Sequence, residues 1–114
     1  MLTVDSLKNF GANTAEGLVR CMNNEGFYLM LVKKVLSDNK VTQLEQQISK
    51  KDLDSAFETA HAMKGMFSNL SLDPIANPVA EITELLRQRK DVDYSNLVNE
   101  IKTQFEKLQK LAND

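Results

Sequence analysis

One cysteine, one histidine, two prolines and four glycines are spread over 114 residues, and each scarcity excludes something. With Cys21 alone, no intramolecular disulfide can form and a cysteine-based metal site would lack ligands. Cys21 therefore reads as a half-buried helix residue with no redox role. No apolar run approaches the ~18 residues of a membrane span. The opening Met1-Leu2-Thr3-Val4-Asp5 lacks the basic start and apolar stretch of a signal peptide, so the expected location is cytoplasmic. Neither sign of charge dominates: 14 basic residues face 16 acidic ones. That balance offers no nucleic-acid footprint and no polybasic membrane patch. Alternating β-branched runs are also missing, which argues against a sheet.

What remains is helical periodicity and enough apolar material, 42%, for one compact core. A single domain over 1–114 is expected, and the initial methionine favours a whole protein over an excised module. Asp5 to Phe10 reads as a short helix ended by Gly11, able to lie as a lid on the core. Thr14 is the expected N-cap of a second short helix to Met22. From Gly26, the apolar residues Phe27, Met30, Leu31, Val35 and Leu36 recur every three to four positions opposite Lys33, Lys34 and Asp38. Residues 40–51 carry Val41, Leu44 and Ile48 on one side, and residues 37–39 between them read as a tight turn or a bend.

Asp52 is suited to cap the next helix, which runs to about Leu70. Asp73-Pro74 and Asn77-Pro78 are both good helix starts, predicting a loose first turn from Pro74 or a true start at Pro78. Val79, Ile82, Leu85 and Leu86 supply the buried face of that helix until Arg89-Lys90. The last helix carries Tyr94, Leu97, Val98, Ile101, Phe105, Leu108 and Leu111, the seam of a bundle helix. The expected fold is all-α: an up-down-up-down four-helix bundle with the short N-terminal helices packed across one end. Nothing in the seams requires a dimer, so a monomer is expected.

The lone histidine sits in Ala60-His61-Ala62-Met63-Lys64-Gly65-Met66-Phe67-Ser68-Asn69-Leu70. At about 100° per residue, Ala56, Ala60, Met63, Phe67 and Leu70 gather on one side, and His61, Lys64, Gly65 and Ser68 on the other. The imidazole should face water. A glycine inside a helix costs roughly 1 kcal/mol relative to alanine, so Gly65 beside the histidine needs another reason, and close approach of a second molecule is one. Neutral imidazole is also the common side chain with a nucleophilic nitrogen available near pH 7.

His61-Ala62-Met63-Lys64-Gly65, followed by Ser68 and Asn69-Leu70, resembles the core motif of histidine-containing phosphotransfer (HPt) domains. Residues 27–36 resemble the first bundle helix of that family, and the helix order matches over most of the chain. The resemblance favours a continuous or kinked long helix across residues 37–39. It implies a phosphorelay protein of a two-component regulatory system, in which His61 becomes phosphohistidine, through Nε2, by attack on a receiver-domain aspartyl phosphate. Lys64 would offset phosphoryl charge, while Gly65, Ser68, Phe57 and Met66 would form the surface that meets the partner. The implied partners are response-regulator receiver domains and the receiver domain of a hybrid histidine kinase. No cofactor is expected in the chain itself, since the receiver brings Mg²⁺ and most of the catalytic apparatus. Such a chain is a phosphoryl carrier rather than a complete enzyme.

The chain departs from the family pattern at Ser71, where many members have glycine, at the larger Met66 and Phe67, and at Pro78. Three rivals come from other classes. A dimerising kinase helix would have an acid after the histidine, where Ala62 stands. A di-metal carboxylate bundle needs Glu-x-x-His twice, and Glu58 with His61 supplies it once. A helical adaptor that binds receiver or other signalling domains without chemistry is the third.

Overall fold

Local capping sets most helix boundaries. The computed structural model describes residues 1–113, so that Asp114, the last residue of the expected domain, lies outside the described residues. Among them are seven α-helices and no strand. Helix α1 (Val4–Phe10) opens on a reciprocal box in which the Ser6 amide donates to Thr3 Oγ1 and the Thr3 amide donates to Ser6 Oγ. It closes on Gly11, whose φ of 113° is the left-handed conformation that glycine adopts at least cost.

Helix α2 (Thr14–Arg20) is capped by Asn13, whose Oδ1 accepts from the Glu16 amide at 3.2 Å. The expected cap, Thr14, is instead a buried first-turn residue. Helix α3 (Glu25–Leu36) starts from Asn24 and ends before residues 37–39. There the Lys40 amide donates to Asp38 Oδ1 at 2.8 Å and the Lys40 ammonium pairs with Oδ2 at 3.0 Å. Helix α4 (Lys40–Ser49) then begins, so the interruption excludes a continuous long helix.

Helix α5 (Leu53–Asn69) has the expected cap: Asp52 accepts from the Ser55 amide. Helix α6 (Asp73–Arg87) runs unbroken through a buried Pro78, which overturns a start at that proline. Leu72 takes the N-cap position with no side-chain bond, and Asp73 lies inside the first turn rather than at the cap. Pro74 sits where no amide is needed, whereas Pro78 cannot donate to the carbonyl four residues back. Helix α7 (Ser95–Asn113) completes the chain.

Helix α5 packs between α4 and α6, α6 packs on α7, and both α3 and α4 reach α7. Ala56, Ala60, Met63 and Phe67 of α5 are buried as their spacing predicts. They meet Ile75, Val79, Ile82 and Leu86 of α6 and Val98, Ile101, Phe105 and Leu108 of α7 within one core. Phe67 lies edge-on to Phe105, with ring centroids 6.1 Å apart. Each fully buried large side chain contributes about 1.5–3 kcal/mol, and this face holds α5 in one rotation about its axis.

Helix α3 corrects the expected register. Tyr28, Val32 and Leu36 are its buried residues, while Phe27 and Met30 are 43% and 54% exposed. Residues 27–32 are all apolar or aromatic, so several stripes are available and periodicity alone selects none. The choice is made by fit. Gly17 of α2 leaves room for the Tyr28 ring, and the Tyr28 hydroxyl donates to the Leu70 carbonyl at 2.9 Å. Burial, with smaller contributions from Cys21 and Asp73, pushes the Tyr28 phenol up to about 12. Cys21 itself is 3% exposed, more enclosed than its sequence context predicts.

The N-terminal helices lie against the turn between α5 and α6. The Asn13 amide donates to the Ser71 carbonyl at 2.9 Å, and Gly11 stands next to Pro74. Ser71 takes the left-handed conformation with φ 54°, the conformation for which glycine is suited. It is buried, and its hydroxyl has no protein partner among the described residues.

Candidate functional site

His61 lies near the middle of α5, exposed, with Ala60 and Met63 buried on the opposite side of the helix. Its ring stacks on Phe57, one turn earlier, at a centroid separation of 5.8 Å and an interplanar angle of 28°. Phe57 is half-buried against the core, so it presents part of its ring to the histidine and part to α6.

Two arginines from the end of α6 reach that ring. Arg87 Cζ lies 5.0 Å from the Phe57 centroid and Arg89 Cζ lies 4.9 Å from it. Arg89 follows the helix in the left-handed conformation, φ 52°, and its guanidinium folds back to donate to the Leu86 carbonyl and to pair with Asp54 at 2.7 Å. Arg87 pairs with Glu84 at 3.3 Å. Exposed ion pairs of this kind contribute about 0–1 kcal/mol, and each cation–π contact about 0.5–1 kcal/mol. The cluster joins the first turns of α5 to the last turn of α6.

Lys64, one turn after His61, is half-buried and forms no ion pair among the described residues. At Gly65 an added Cβ would meet nothing within 4 Å. The fold therefore gives this glycine no internal purpose, although it forgoes about 1 kcal/mol of helix stability. Ser68 is half-buried, and its carbonyl accepts from Arg20 Nη1 at 3.1 Å, with Arg20 held by Glu16 at 2.7 Å. Helix α2 thus borders the C-terminal end of the histidine face.

Five of the six candidate residues, Phe57, His61, Lys64, Gly65 and Ser68, form one stripe along α5. Met66 is half-buried about 140° round the helix from His61, so it stands apart from them. Three neighbours went unforeseen. Arg87 and Arg89 are 26 and 28 positions beyond His61 and Arg20 is 41 before it, distances over which sequence periodicity carries no signal. Phe57, Lys64 and Gly65, three or four positions from His61, are the neighbours that helical spacing does carry.

A groove of about 590 Å³ lies elsewhere, lined by Ile48, Lys51, Lys90, Val92, Tyr94 and Val98 among others, and includes none of the stripe. The histidine stands on an open surface, suited to a macromolecular partner rather than an enclosed small ligand. Among the described residues, no three His, Cys, Asp or Glu side chains converge as they would around a metal ion. Nor, among the described residues, is any helix long and apolar enough to cross a membrane.

No curated protein and no solved structure matches the chain. The family model of the Hpt domain matches residues 35–111, more than half of the chain, from the end of α3 through most of α7. The matched segment contains α5 with the whole histidine face. The chain belongs to the Hpt domain family, whose members carry phosphoryl groups in phosphorelays.

Proposed function

We propose that this chain, acting as one domain over residues 1–114, is a histidine phosphotransfer protein of a two-component phosphorelay. His61 accepts a phosphoryl group from a receiver-domain aspartate and passes it to another receiver. The observation that carries this reading is an exposed imidazole beside a helical glycine with open space around it. In this reading the helices form an up-down-up-down bundle that works as a cytoplasmic monomer. Its partners are response-regulator receivers and the receiver of a hybrid histidine kinase.

The chemistry follows from the imidazole. The Nε2 electron pair attacks phosphorus in the acyl phosphate, an N–P bond forms, and the P–O bond breaks so that the aspartate leaves as a carboxylate. Nδ1 keeps its proton during the step. Lys64, one turn along, offsets charge on the phosphoryl oxygens as a mobile point charge. Gly65 and Ser68 leave room for the loops of the receiver. Mg²⁺ belongs to the receiver, and this chain contributes the nucleophile and its surroundings.

The test is incubation with a phosphorylated receiver, followed by intact mass and acid treatment. The expected product carries one acid-labile, base-stable phosphoryl group, absent in His61→Gln at unchanged helicity and melting. Lys64→Ala should slow transfer without stopping it. No transfer from several receivers, with wild-type folding intact, would favour a non-catalytic adaptor.

A further inference from the structure

Three groups approach the ring of Phe57, which is half-buried against the core. The His61 imidazole stacks on it at 28°, and two guanidiniums approach its ring at 5.0 and 4.9 Å. A histidine on an exposed helix face would ordinarily exchange among its rotamers in solvent. Here one face of its ring has a flat neighbour, and that neighbour is not free to turn away. Arg89 is the best anchored of the group, since it bonds the Leu86 carbonyl at 2.6 Å, the Arg87 carbonyl at 3.3 Å and Asp54 at 2.7 Å. Its backbone also sits in the left-handed region, at the turn that ends α6.

We propose that Phe57 is a positioning residue for His61, fixed by Arg87 and Arg89, so that the end of α6 orients the imidazole on α5. The role differs from docking: Phe57 acts through the histidine, and the arginines act through Phe57. Its consequence for transfer rests on the reading of His61 as the phosphoryl carrier, whereas the orientation itself does not. A planar guanidinium suits this task, because it lies against an aromatic face as an ammonium cannot. Asp54 and Glu84 direct the two guanidiniums and partly neutralise them, so the cluster is organised for geometry more than for net charge.

His61 is the only histidine of the chain, so its Hδ2 and Hε1 resonances can be followed without ambiguity in the unphosphorylated protein. Three variants separate the roles. Phe57→Leu keeps an apolar side chain, Phe57→Tyr keeps the ring, and Arg89→Gly removes the guanidinium at a position where glycine suits the backbone. The expected result is that Phe57→Leu moves both resonances toward free-imidazole positions and Phe57→Tyr leaves them near wild type. Arg89→Gly should shift them part of the way, and Arg89→Lys should shift them in the same direction because the planar group is lost.

With a phosphorylated receiver, Phe57→Leu should lower the transfer rate inside the complex about three- to tenfold at unchanged affinity, an effect of the size that one such contact can supply. Loss of the Phe57 ring current alone moves the resonances, so the deciding readout is the His61 side-chain rotamer from its Hα–Hβ couplings. A rotamer distribution unchanged in Phe57→Leu would overturn the proposal. So would a loss confined to receiver affinity, which would make Phe57 a docking residue. A rotamer distribution changed in Phe57→Leu, with a wild type that never transfers phosphoryl, would instead defeat the phosphotransfer reading, while leaving the positioning intact.

Discussion

Of the three glycines within helices, Gly17 in α2 and Gly65 in α5 lie beyond the first two positions, and their surroundings are opposite. A Cβ on Gly17 would come within 2.6 Å of the Tyr28 ring, whereas one on Gly65 would meet nothing. Both residues forgo the same helix stability, about 1 kcal/mol. At Gly17 the return lies inside the molecule: α2 approaches α3, Tyr28 becomes fully buried, and its hydroxyl reaches the Leu70 carbonyl. At Gly65 no internal return exists, which in the proposed function leaves the benefit to a bound receiver. On that reading the same residue type marks internal fit in one helix and external contact in the other, and only the neighbouring atoms distinguish them.

The sharpest way to break this comparison is to fill the open face. Gly65→Gln should lower transfer from a phosphorylated receiver about 10- to 100-fold, the consequence of forcing a bulky side chain into a close contact. Circular dichroism should show an intact fold, and normal transfer would mean that the face is not used.

Tyr28 tests the internal side through pH. Its phenol ionises near 10 in the unfolded chain and near 12 when folded, so the folded state holds its proton longer. The associated stability is complete below pH 10 and is lost as pH rises toward 12, by about 2–3 kcal/mol. Urea titrations at pH 9 and 11.5 should show this extra alkaline loss in the wild type and not in Tyr28→Phe. The variant should be weaker by about 1–2 kcal/mol at neutral pH, because the buried Leu70 carbonyl loses its donor.

The same small substitution should then act with opposite signs at the two glycines. Gly17→Ala should destabilise by about 1–2 kcal/mol after its helix gain is counted, since the Tyr28 ring is enclosed and cannot yield freely. Gly65→Ala should stabilise by up to about 1 kcal/mol. Thermal melts of the pair decide it, and a shared sign would remove the distinction. The smallest effect is expected at Ser71→Gly, a gain of about 0.5–1 kcal/mol from relieving the left-handed serine and removing its unpartnered hydroxyl.

The legible parts of the fold were those governed by local spacing. Asp52 accepts the expected capping bond, Gly11 closes α1, and Ala56, Ala60, Met63 and Phe67 are all buried as a 3.6-residue period requires. The position of His61 on the outer face follows from that same period. Reading failed where several local answers were equally good. In α3 an apolar run offered more than one stripe, and Phe27 and Met30 proved exposed. Two prolines offered two starts for α6, and packing kept Pro78 inside the helix. Asn13 rather than Thr14 caps α2, a choice between adjacent residues that are both capable of it.

The sequence by itself determined that the chain is helical, which side of α5 is buried, and that the single histidine lies opposite it, because these properties depend on residues within a few turns of one another. Tertiary structure alone decided the rotation of α3, the open space at Gly65 and the clasp of Arg87 and Arg89 on Phe57. Each depends on atoms brought together from distant positions, and the burial and contact energies that select such an arrangement exist only once the helices have packed.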